Sequence, residues 1–98
     1  MINDLYNINL PKKILKKIYD NIDHNIVLSL SINHQLVNDN IDLLKSYGIV
    51  NINELFSNKC EIFMLDTQNI VKKFSKFNIP VIVSLINKDI NVIDEIFN

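Results

Sequence analysis

The chain has 98 residues, a formal net charge of −1 and 48% apolar residues, which fits one small domain with a modest core and argues against disorder. One glycine and two prolines are too few for a turn-rich β architecture, and a single cysteine excludes an internal disulfide framework or a cysteine-rich zinc site. Ten lysines stand against eleven acids and arginine is absent, so no global charge pulls the chain toward nucleic acid or an anionic membrane.

Residues 1–9 are polar apart from Ile2, Leu5, Tyr6 and Ile8 and read as a loosely packed lead-in. They lack the charged-then-apolar order of a secretory signal. Pro11 suits a first helical turn, and Ile14, Ile18 and Ile22 recur every four residues with Leu15 beside them. That spacing predicts an amphipathic helix over about Pro11–Asn21, whose other face carries Lys12, Lys13, Lys16 and Lys17. Asp23-His24-Asn25 reads as a break. The run Ile26–Ile32 alternates in part and is partly β-branched, but no strand partner is evident, so it is expected as a short helical or extended segment buried by its neighbours.

A second helix is predicted over about Gln35–Tyr47, with Val37, Ile41, Leu44 and Tyr47 inward and Leu36 and Leu43 widening the stripe. Asn33 is placed to cap it, and Gly48 follows where a left-handed C-cap belongs. Ile52, Leu55 and Phe56 outline a short helix over about Asn53–Asn58, and Ile62–Leu65 is a compact apolar run. Asp66 can cap a helix over about Thr67–Phe77, with Ile70, Val71, Phe74 and Phe77 inward and Lys72, Lys73 and Lys76 outward. Asn78 is expected to end it in the left-handed conformation, in the same role as Gly48. Pro80 restarts the chain. Val81–Ile86 is read as a short helix by analogy with Ile52–Phe56, and Ile90–Phe97 closes the pattern.

Residues 41–65 laid over 71–95 without gaps give ten positions that are apolar in both copies, against roughly seven by chance. The pairs are Ile41/Val71, Leu44/Phe74, Tyr47/Phe77, Ile49/Ile79, Ile52/Ile82, Leu55/Leu85, Phe56/Ile86, Cys60/Ile90, Ile62/Val92 and Phe63/Ile93. Gly48 and Asn78 fall in the same register. A period near thirty residues predicts an all-α helical-repeat array, because one such unit cannot bury its own apolar face.

The unit resembles the repeat of the mitochondrial transcription termination factor (mTERF) family. There a helix ending in Leu-x-x-x-Gly-Ile/Val is followed by a short helix and a Pro-x-Leu-Leu-like step. Leu44-Lys45-Ser46-Tyr47-Gly48-Ile49 matches the helix end, and Phe74-Ser75-Lys76-Phe77-Asn78-Ile79 matches it with Asn for Gly. Cys60-Glu61-Ile62-Phe63 lies at the step with Cys60 in place of proline. The resemblance spans about 11–97 and implies a solenoid-type array of two to three units. On this plan the single domain 1–98 divides into a lead-in 1–10, a first unit 11–49, a second 50–79 and a partial third 80–98. In the family, a basic concave face binds double-stranded nucleic acid. This chain has fewer units and is not basic.

Two readings of the lysines stay open. Lys12, Lys13, Lys16 and Lys17, with Lys72, Lys73 and Lys76, could neutralise phosphates if their helices held equivalent positions, or they could simply solvate outer faces. His24 and His34 lack metal-ligand spacing, and no nucleophile motif stands beside either. Cys60 reads as a small buried hydrophobe, one glycine cannot build a phosphate loop, and Asp94-Glu95 reads as surface. No catalytic, cofactor-binding or metal-binding residue is assigned.

The expectation is therefore a soluble, intracellular, cytoplasmic and non-catalytic interaction module. It would bind a protein partner or itself through an apolar repeat face, with nucleic-acid binding as the alternative and no membrane partner. The first helix is basic and the C-terminal stretch acidic, and an apolar surface is expected around Val81–Ile86 and Phe97.

Overall fold

The computed structural model describes residues 5–97, so the reading of Ile2 lies outside the described residues. Among those residues the chain forms seven α-helices, two 3-10 turns and no strand. Helix α1 spans Lys12–Asn21, with Pro11 at its N-cap and Leu15 and Ile18 buried. Helix α2 spans His24–Ile32 and begins where the Asp23 carboxylate accepts from the Asn25 N–H at 2.8 Å. The ambiguous Ile26–Ile32 run is thus helical. It is not buried throughout: Val27, Leu30 and Ser31 face the core, while Leu28 and Ile32 lie on the surface.

Helix α3, His34–Ser46, is the longest and buries Val37, Asn40, Ile41 and Leu44. Asn33 joins α2 to α3 but does not cap α3 with its side chain. Its amide donates instead to the Ser29 carbonyl at 2.8 Å, which closes α2. The lead-in is not loose either. Leu5 and Ile8 are buried, the Asn9 N–H donates to Asn38 Oδ1 at 2.7 Å, and Asn38 Nδ2 donates to the Asn7 carbonyl at 2.9 Å.

Gly48 ends α3 at φ 102°, with its own N–H on the Lys45 carbonyl and the Ile49 N–H on the Leu44 carbonyl. These two bonds satisfy carbonyls that the helix end would otherwise leave open. Helix α4 follows, Ile52–Asn58, then a first 3-10 turn, Cys60–Met64. Helix α5, Thr67–Phe74, is capped by Asp66 accepting from the Gln68 N–H at 3.2 Å.

Asn78 corrects the expectation drawn from it. Its φ is −72°, no described residue other than glycine has a positive φ, and its side chain accepts from the Val81 N–H at 3.2 Å. It is the N-cap of helix α6, Ile79–Lys88, and not a left-handed end to α5. Pro80 sits in the first turn of α6, where its missing N–H costs nothing. Since α5 stops at Phe74, Phe77 falls in the connecting turn and is partly exposed. A second 3-10 turn, Ile90–Ile93, leads into helix α7, Asp94–Phe97.

Helix α1 packs on α2 and α4, α3 on α5, and α5 on α7, in a body of 39 × 25 × 22 Å. The Phe74 ring lies 4.7 Å from Tyr47 and 6.1 Å from Phe97, centroid to centroid, and so ties α5 to both neighbours. The two 3-10 turns start thirty residues apart, at Cys60 and Ile90. Of the ten pairs, five are buried in both members: Leu44/Phe74, Ile52/Ile82, Phe56/Ile86, Cys60/Ile90 and Phe63/Ile93. In the other five the later residue is always the more exposed.

Candidate interaction surfaces

Helix α6 is amphipathic with a difference. Ile82, Val83 and Ile86 pack inward, yet its outer face is also apolar, with Val81 56% and Leu85 44% exposed. The two lie one turn apart and form a ridge. Leu55, thirty residues before Leu85, is fully buried in α4. Whatever covers Leu55 has no counterpart over Leu85.

A second ridge lies on α2, where Leu28 is 51% and Ile32 70% exposed. A shallow hollow beside it is lined by Asn7, Ser31 and His34, and another by Tyr19, His24 and Asn25. The Tyr19 and His24 rings stack at 5.4 Å, which closes the α1–α2 junction next to Leu28. Single exposed apolar residues are ordinary on a protein surface; pairs at helical spacing are the informative case.

The lysines occupy two separate settings. Lys12, Lys13, Lys16 and Lys17 are exposed on α1. Lys12 Nζ lies 5.5 Å from the Tyr6 ring centroid, and Lys16 pairs with Asp20 at 3.1 Å. Lys72 and Lys73 lie on α5, exposed and half-buried in turn, whereas Lys76, expected on the same helix, is exposed in the turn that follows it. Their helices do not hold equivalent positions: α1 packs on α2 and α4, whereas α5 packs on α3 and α7.

Cys60 is buried, and its thiol is pushed up to about 11 by burial and by the neighbouring Glu61 charge. A thiol in that state is not a nucleophile at neutral pH. His34 Nδ1 lies 3.0 Å from the Ser31 carbonyl. Among the described residues no group of three or more His, Cys, Asp or Glu side chains is placed to hold a metal ion, and no helix is long and apolar enough to cross a membrane.

Three asparagines do what the sequence reading did not foresee. Asn40 is fully buried; its Nδ2 donates to the Phe63 and Leu65 carbonyls at 2.8 and 2.7 Å, and its Oδ1 accepts from Thr67 Oγ1 at 2.6 Å. It therefore fixes the first 3-10 turn and the start of α5 against α3. Asn87 joins α6 to the Gly48 turn, accepting from the Val50 N–H and donating to the Gly48 carbonyl, both at 3.0 Å. Asn51 donates to the Ile86 carbonyl at 3.4 Å, and its own Oδ1 is buried with no partner. Beside it a polar cleft of about 460 Å³ runs between α4 and the end of α6. The only early signal was an asparagine inside a helical stripe, at Asn40.

Comparison of the chain with protein-family models, with curated proteins and with solved structures finds no match.

Proposed function

We propose that this chain is a small non-catalytic interaction module, built as a short mTERF-like helical-repeat array, that binds a protein through an apolar face. The reading places it in the cytoplasm as a soluble protein. The observation that carries it is the contrast between Leu55, fully buried, and Leu85, 44% exposed at the matching position thirty residues on. A partner that covers Val81 and Leu85 would remove apolar area from water, the main driving term in protein association. The test is affinity capture from the source cell with the wild-type chain and with Val81→Glu and Leu85→Glu. Both sites are exposed, so the variants should fold and melt within a few degrees of wild type. Captured protein should fall at least ten-fold with either change. Capture that is unaltered by both would defeat the reading.

A second reading is nucleic-acid binding by the lysine-bearing helices, supported by the exposed row Lys12, Lys13, Lys16 and Lys17 on α1. It requires binding to duplex DNA or RNA that falls steeply with salt and is lost in Lys12→Glu/Lys16→Glu and Lys72→Glu/Lys76→Glu. Fluorescence anisotropy at low salt decides it, and no binding there dismisses it.

A further inference from the structure

We draw no further inference here: the strongest candidate, the exposed Val81 and Leu85 ridge on the outer face of α6, is an unpartnered apolar face, and nothing in the structure shows what covers it.

Discussion

Asn40 shows how much one polar residue can organise when it is the right size for its cavity. A leucine there would fill the space but leave the Phe63 and Leu65 carbonyls and the Thr67 hydroxyl without their partner. Each buried polar group left open costs about 1–3 kcal/mol. Asn40→Ala should therefore lower the stability by about 2–4 kcal/mol, read as a lower urea midpoint with an unchanged slope. Thr67→Val leaves only the Asn40 Oδ1 without its partner and should cost about 1–3 kcal/mol.

Gly48 is the other single-residue case. A Cβ there would meet Val83 Cγ1 at 3.6 Å, an ordinary contact, so the cost of Gly48→Ala comes from the backbone at φ 102°. That cost is about 1–3 kcal/mol, and the melting temperature should drop by about 4–8 °C for each kcal/mol.

The Cys60 thiol titrates higher folded than unfolded, about 11 against a reference of 9.0. Between those values the folded chain holds the proton that the unfolded chain has lost, so stability is complete below pH 9 and declines as pH rises toward 11. Cys60→Ser should flatten that alkaline decline. In the native wild type at pH 8, alkylation should be far slower than in urea.

Helix boundaries follow local chemistry closely wherever an aspartate stands in the break. Asp23 and Asp66 both accept from the N–H two residues on, and α2 and α5 start where that geometry requires. Asp66→Ala should cost about 1 kcal/mol and raise hydrogen exchange first in the opening turn of α5. Asn78 illustrates the opposite outcome. The residue tolerates both a left-handed helix end and an N-cap, and Pro80 two positions later decides between them by starting α6. With α5 then ending at Phe74, the turn over residues 75–77 is closed by Ser75 Oγ on the Lys72 carbonyl at 2.6 Å and the Phe77 N–H on the Phe74 carbonyl at 3.0 Å. The thirty-residue match of Gly48 with Asn78 is thus a match of position and not of backbone state. Helix α2 was ambiguous for a different reason. Its apolar residues run almost without interruption, so periodicity could not tell which of them face the core.

At the scale of the molecule, Phe74 is the residue whose loss should matter most. It is fully buried and packs between Tyr47 of the α3 end, at a tilt, and Phe97 of α7, edge to face. Phe74→Ala should cost about 3–5 kcal/mol, a large share of the stability of a domain this small. Circular dichroism should then show a broadened transition or a chain already unfolded at 37 °C.

Much of the architecture was legible in the residues. The apolar stripes, the Asp66 and Gly48 caps and the absence of turn chemistry fixed an all-helical chain, because each is a local property of backbone and solvent. The ridge on α6 was half legible: Val81–Ile86 could be marked as apolar, but which side stays uncovered depends on what packs against it, and the ridge on α2 lies in a run that was expected to be buried. The long-range roles of Asn51 and Asn87 were not legible, and that of Asn40 showed only as a polar residue inside a helical stripe. Sixteen asparagines are spread along the chain, and nothing in their spacing shows that packing brings Asn40 to Phe63 and Asn87 to Gly48. Periodicity is written in short spacings, so the sequence alone determined the helices with clear apolar stripes, such as α1 and α3, and left α2 open between helix and extended chain. Contacts between residues twenty or more apart carry no local signature, so only the tertiary structure decided which polar groups are joined and which apolar faces remain open.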